Sequence, residues 1–201
     1  KGCAVINVDD MKCPELLKSC TNRGQRTITV GYNTSDLQIL GQKYDATGQD
    51  ILFSWLGHSH QIKVPLVGGF QGENLMLAAG MVLAAGGEAE EVFSSLKAVR
   101  PVRGRMELAA TCTNGASIYV DYAHTPSAVS TALMALRPHV LGRLVVVLGA
   151  GGDRDPGKRT LMGQAAVEFA DIAFVTDDNP RTEDPSLIRD MVMLGAPDAT
   201  E

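Results

Sequence analysis

The second half of the sequence predicts a doubly wound α/β domain, and three observations carry that prediction. Strand-like and helix-like segments alternate three times over the last ~85 residues. The run Leu144-Val145-Val146-Val147-Leu148 is apolar throughout, as in a parallel strand buried on both faces. Thr125-Pro126 and Asp184-Pro185 each join a helix N-cap residue to a proline at the first helical position.

Taken in order, the first elements are mostly strands and turns. A strand is already in progress at Cys3–Ile6, and a short helix with Pro14 near its first turn is expected between Asn7 and Ser19. Thr27–Tyr32 is β-branched and alternating, Ile51–Leu56 is apolar, and Gln61–Val67 alternates towards Gly68-Gly69. From Glu73 to Ala85 a helix apolar almost all round is expected to be buried on most faces and to stop at Gly86-Gly87. Another runs from Ala89 to Val99 and ends before Pro101. Arg100-Pro101-Val102-Arg103-Gly104-Arg105 then breaks the pattern and divides the chain into residues 1–103 and 104–201. Beyond it come a strand at Ala116–Asp121, a helix from Thr125-Pro126 to Leu136, the strand Leu144–Leu148, a helix Leu161–Ala170, a strand Ile172–Thr176 and a helix from Asp184-Pro185 to Leu194.

Composition narrows the function classes. At roughly 150 residues per domain, 201 residues amount to about 1.3 domains. With 45% hydrophobic and 20% charged residues the chain can bury a core, which excludes disorder. No apolar run approaches the ~18 residues of a membrane span. Ten acidic and ten basic residues precede Gly104, so the whole net charge of −5 lies beyond it. An acidic second half with 5% aromatics argues against nucleic acid as a partner. Cys3, Cys13, Cys20 and Cys112 lack C-x-x-C spacing, and nothing at the start resembles a signal peptide, which points to a reducing cytoplasm. Because the first residue is Lys1, the chain is expected to start inside a domain.

In a doubly wound sheet, ligands bind beyond the carboxyl ends of the strands, which singles out three loops. They are Asp121–Thr125, Gly149–Arg159 and Asp177–Asp184. Gly152-x4-Gly157-Lys158 has the spacing of a phosphate loop. Arg159 stands where Ser or Thr must hold magnesium, however, and Asp153 and Asp155 would repel phosphate, so it is not the primary nucleotide loop. Arg154, Lys158 and Arg159 remain candidate anion contacts beside a helix expected to start near Thr160. Asp121 can accept from a ribose hydroxyl and His124 can donate to phosphate or move a proton; alternatively both cap the following helix. Asn179-Pro180-Arg181 restrains the backbone next to a guanidinium fork suited to a carboxylate, unless Arg181 pairs with Glu183 or Asp184. His58, His60 and His139 read as structural or solvent-facing, and no metal ligands are assigned.

These loops carry a resemblance. Asp121-Tyr122-Ala123-His124-Thr125-Pro126, Gly151-Gly152-Asp153-Arg154-Asp155 with Gly157-Lys158-Arg159, Leu161-Met162-Gly163, and Thr176-Asp177-Asp178-Asn179-Pro180-Arg181 resemble the carboxy-terminal domain of the Mur ligase family. Gly104-Arg105-Met106-Glu107 resembles that family's linker, while Asn7-Val8-Asp9-Asp10 and Gly69-Phe70 to Asn74 resemble the late part of its central ATP-binding domain. The resemblance covers most of the chain, strongly from Gly104 to Pro185 and loosely from Met11 to Lys63.

The resemblance implies the end of a central ATP-binding domain over 1–103, followed by a Rossmann-like amino-acid-binding domain over 104–201. It implies an ATP- and magnesium-dependent ligase that phosphorylates the D-glutamate carboxylate of UDP-N-acetylmuramoyl-L-alanyl-D-glutamate and lets the amine of meso-diaminopimelate displace phosphate, as a cytoplasmic monomer in peptidoglycan precursor synthesis. By the same resemblance Asn74 lies near adenine, Arg105 and Asp121 near ribose, and Tyr122 and His124 on the nucleotide side. His124 and Lys158 are the catalytic candidates, and Arg154 with Asp178, Asn179, Pro180 and Arg181 forms the meso-diaminopimelate pocket. Gln71 stands where many members have Asn. The family's Walker loop, magnesium ligands, modified lysine and uridine-nucleotide domain are expected upstream, and the rest of the amino-acid pocket downstream, so this chain alone is expected to be inactive. Two alternatives stay open: a sister ligase using L-lysine or another amino acid, and a non-catalytic nucleotide or amino-acid binding module.

Overall fold

The computed structural model describes residues 2–201. It divides into two compact units, one running up to Pro101 and the other from Val102 to Glu201.

The first unit is built on one five-stranded sheet in the order β1-β2-β3-β4-β5. Strand β1 (Cys3–Asn7), helix α1 (Cys13–Asn22) and strand β2 (Arg26–Gly31) form a parallel crossover. β3 (Leu37–Asp45) joins parallel to β2, after which β4 (Gly48–Trp55) and β5 (His58–Val64) continue antiparallel. Two residues connect β4 to β5, Leu56 at φ 49° and Gly57 at φ 86°, the left-handed pair that suits the strand twist of a tight hairpin. α2 (Gly69–Ala84) and α3 (Ala89–Ser95) follow.

Helix α2 is not buried on most faces as its composition predicts. Gly72, Leu75, Met76, Ala79, Gly80 and Leu83 form one buried stripe at helical spacing, while Met81 and Val82 are exposed. Its glycines explain how one stripe suffices: a Cβ on Gly80 would lie 3.0 Å from Val30 and 3.1 Å from Val5, so the helix rests close on β1 and β2. Leu37, Ile51, Phe53, Val64 and Met76 are fully buried in this core. Gln49 is buried there too, and is satisfied: its amide donates to the carbonyls of Leu66 and Gly68 and accepts from Gln42.

In the second unit β6 (Glu107–Thr111) and β7 (Ser117–Val120) form an antiparallel hairpin paired with each other. The segment Ala116–Asp121 therefore does not extend a parallel sheet as the alternation predicts. Asn114-Gly115, with Gly115 at φ 86°, turns it straight back onto β6. The parallel sheet consists of β8 (Val145–Leu148) and β9 (Ile172–Val175), joined through α5 (Gly157–Phe169), and Thr200 bridges parallel to Phe174 on the far side of β9. α4 (Pro126–Leu136) and α6 (Pro185–Met193) pack on either side of α5. The predicted caps are in place: Thr125 Oγ1 accepts from the Ala128 amide, and Asp184 accepts from the Ser186 amide. β8 departs from its prediction. Leu148 is buried, but Val145 and Val147 on the other face are 47% and 66% exposed.

Candidate functional site

The loops after β8 and β9 emerge from the same sheet edge because the two strands are parallel. Hydrogen bonds lace them together. Gly152 donates its amide to the Asn179 carbonyl at 2.9 Å, and Arg181 Nη1 donates to the Gly152 carbonyl at 2.6 Å. The Asp153 carboxylate accepts from the Thr182 hydroxyl at 2.6 Å and amide at 3.3 Å. Asp153 and Arg181 both hold left-handed backbone, at φ 53° and 51°, a conformation disfavoured for residues with side chains and here fixed by these contacts. At Gly152 a Cβ would fall 1.9 Å from the Pro180 carbonyl oxygen, so only glycine admits this approach.

Arg181 itself is exposed. Asn179 Oδ1 accepts from its amide at 3.2 Å, and one guanidinium nitrogen is held on Gly152. Nε and Nη2, the side-on fork, have no acceptor among the described residues, a geometry that fits an incoming carboxylate. The suspected pairing of Arg181 with Glu183 or Asp184 is not what forms. Glu183 binds Arg159, and Asp184 caps α6, where the hydroxyl and amide of Ser186 hold its carboxyl below the usual range. Arg154 is exposed alongside, and Asp177, Asp178, Pro180 and Arg189 are among the residues around a shallow surface depression on the same loops. Arg189 ties that wall to Asp177 and Glu201.

Two expectations in this loop need correction. Helix α5 begins at Gly157 rather than near Thr160, so Lys158 and Arg159 belong to its first turn. Arg159 consequently points inward: it is 2% exposed and donates through both terminal nitrogens to Glu183, at 2.7 and 2.8 Å. It is no open anion contact. Lys158 stays exposed, 3.9 Å from Asp155, a loose pair of the kind that contributes little.

The loop Asp121–Thr125 is open by comparison. Asp121 accepts from the Met106 amide at 2.9 Å, Arg105 stacks 5.4 Å above the ring of Tyr122, and Tyr122 is 66% exposed. His124 Nδ1 lies 2.9 Å from the Tyr122 carbonyl, which can only accept, so Nδ1 carries the hydrogen and Nε2 is the free ring nitrogen. Neither Asp121 nor His124 caps α4, since Thr125 does. Ala123 packs against the core that buries Leu148 and Ala150.

In the first unit Asn74 is exposed on the second turn of α2. Beside it, Glu73 accepts from Tyr32, whose hydroxyl also reaches Gln42 at 2.6 Å; burial and the Glu73 charge push the Tyr32 pKa upward. The histidines behave as packing or surface groups. His60 stacks on Phe53 at 5.2 Å, His139 is buried and His58 is exposed. Among the described residues no three His, Cys, Asp or Glu cluster to hold a metal ion. Sequence reasoning missed Glu183, Asp153 and Thr182 as the residues that lace the two loops. The signal available was an excess of opposite charges in two loops that a parallel sheet must bring together.

This is a Rossmann-like domain with a cation-bearing rim, joined in sequence to an α/β unit of mixed sheet. Residues 1–82 match the Mur ligase middle domain, and residues 104–200 match the Mur ligase glutamate ligase domain. The chain belongs to the Mur ligase family. It is 46% identical over 200 residues to a UDP-N-acetylmuramoyl-L-alanyl-D-glutamate--2,6-diaminopimelate ligase of Zymomonas mobilis, covering 100% of this chain and 41% of that protein. A protein of the same name from Caulobacter vibrioides is 43% identical over 198 residues, covering 98% of this chain and 41% of its own length. The chain thus spans about two fifths of the length of the curated relatives it matches. A solved structure with that ligase name aligns with a TM-score of 0.68 at 35% identity, over 96% of this chain and 40% of the other. The fold extends to a folylpolyglutamate synthase of Mycobacterium tuberculosis, with a TM-score of 0.75 at 24% identity over 98% of this chain and 45% of the other.

Proposed function

We propose that the protein carrying this chain is an ATP-dependent ligase that joins the amine of meso-diaminopimelate to the D-glutamate carboxylate of UDP-N-acetylmuramoyl-L-alanyl-D-glutamate. The reading is supported by relatives of that name matching the whole chain, and the observation that carries it is the unfilled side-on fork of Arg181. A carboxylate is a poor acyl donor. When one of its oxygens attacks the γ-phosphorus of ATP, ADP leaves; the amine nitrogen then forms the C–N bond as the C–O bond to phosphate breaks, and a proton is lost. Positioning and charge neutralisation supply most of such catalysis.

In this proposal residues 1–103 form the last part of the central ATP-binding domain and 104–201 the amino-acid-binding domain. Asn74 meets the adenine, the second carboxylate oxygen of Asp121 and the Arg105–Tyr122 stack hold the ribose side, and His124 offers Nε2 for proton transfer beside the phosphates. Lys158 supplies a mobile positive charge at the start of α5. Asp178, Asn179, Pro180, Arg181 and Arg154 receive meso-diaminopimelate, with Arg181 taking the carboxylate that lysine lacks. Magnesium accompanies ATP, and no residue of this chain is assigned to it. The reaction is placed in the cytoplasm and the enzyme acts as a monomer.

Phosphate release with meso-diaminopimelate and L-lysine side by side tests the reading. Meso-diaminopimelate should be strongly preferred, and Arg181→Lys should raise its KM about 10- to 100-fold while ATP is little affected, because Lys has no fork. Preference for lysine, or equal losses for both substrates, would overturn it.

A further inference from the structure

Arg159 and Glu183 are unusual partners in this unit. The guanidinium is 2% exposed, whereas the carboxylate it grips is one-third exposed at the rim. Such a buried cation is held only where geometry and hydrogen bonds compensate its lost hydration, and breaking it leaves an uncompensated charge. Here the compensation is incomplete: Arg159 Nε is buried with no hydrogen-bond partner among the described residues. A group kept under that penalty, when an apolar side chain could fill the space, points to a role other than stability.

The contacts say which role. Arg159 lies in α5, within the rigid helix, and reaches both loops: Glu183 in one, and the Gly151 carbonyl at 3.5 Å in the other. Glu183 Oε1 then accepts from the Asp153 amide at 2.5 Å. That amide belongs to the left-handed residue whose carboxylate holds Thr182, next to Arg181. Removing the anchor frees both strained residues, and with them the backbone that aims Arg154 and Arg181.

We infer that Arg159 and Glu183 are a positioning pair that fixes the two rim loops in the conformation able to bind an amino acid with two carboxylates. The inference rests on the function proposed above, in that the amino acid meant is meso-diaminopimelate. Neither side chain touches the substrate; each acts through the loop backbone.

Two variants test it in the protein that carries this chain. Arg159→Lys keeps the charge but not the fork, and the double variant Arg159→Met with Glu183→Leu refills the space without charge. Both should raise the KM for meso-diaminopimelate about tenfold while the KM for ATP stays within about twofold. Hydrogen exchange, which needs no turnover, should show the Asp153 and Thr182 amides opening about tenfold faster in both variants. Unchanged exchange, a meso-diaminopimelate KM unchanged in a destabilised variant, or equal rises for both substrates would overturn the inference. Should the double variant fail to fold, Arg159→Lys decides alone. Should wild-type protein release no phosphate with meso-diaminopimelate, the functional reading fails, and the exchange rates still decide whether the pair fixes the loops.

Discussion

The unit ending at Pro101 and the unit starting at Val102 each close around a buried apolar core, yet differ in what surrounds it. In the first, side chains from β2, β3, β4, β5 and α2 close around Phe53 and Leu37, both at 0% exposure, and the polar groups inside are few and satisfied. In the second, one face of the β8–β9 sheet leaves Val147 open while the loops beyond its edge are cross-linked through Arg159, Glu183, Asp153 and Thr182. The difference teaches where to look for chemistry. The first unit is ordered around its core, whereas the second adds to its own core around Leu133, Ala166 and Val192 a rim whose charged groups must be aimed.

The largest effect should follow from opening the first core. Phe53 packs edge-on against Phe93 at 5.0 Å, and Phe53→Ala should cost about 3–5 kcal/mol. Trp55, the only tryptophan, contacts the same Phe93 ring, so its fluorescence during a denaturant titration reports on this unit directly. A loss below ~1 kcal/mol would mean the core is less decisive than its burial indicates.

The rim of the second unit should instead be loosened by acid. Arg159, followed by the Asp153 amide, pulls the Glu183 carboxyl from 4.5 to about 2. A carboxyl depressed on folding binds fewer protons in the native state, so its stabilisation is complete above pH 4.5 and disappears as the pH falls through about 2. Between those limits, denaturation of wild type should grow easier with acid more steeply than that of Glu183→Gln, which has no proton to gain. Parallel curves for the two proteins would show that Glu183 does not carry this dependence. The smallest effect belongs to the uncovered sheet face. Val147→Thr should change stability by no more than about 0.5 kcal/mol, and a larger loss in thermal unfolding would reveal that something covers that face.

How far the sequence predicted this structure depended on whether a signal was local. Strands β2 and β5 followed from alternation, β4 from an apolar run, and the caps at Thr125 and Asp184 from residue type, because each is written within a few positions. Strand β3 escaped notice because an irregularity between Ile39 and Gly41 breaks its alternation. Helices α2 and α5 start earlier than predicted because Gly69, Gly72 and Gly157 read as loop, although in the fold they begin or line a closely packed helix. That shift also explains the misreading of Arg159: moving the start of α5 back turns the side chain inward. The rim was legible as two charged loops, yet the bond from Arg159 to Glu183 spans 24 residues and no spacing rule announces it. Only the register of β8 against β9 brings those ends together.

The contact at Gly152 has an evolutionary consequence. Because the Pro180 carbonyl oxygen occupies the space a methyl group would need, every codon change that adds a side chain there must also move the neighbouring loop. The position is therefore closed to gradual exploration, while exposed Arg154, two residues on, can be replaced without moving the backbone, so that only what the rim binds constrains it. Lineages adapting this pocket to a different amino acid should accordingly vary the side chains carried by the rim long before they alter the backbone track on which those side chains ride.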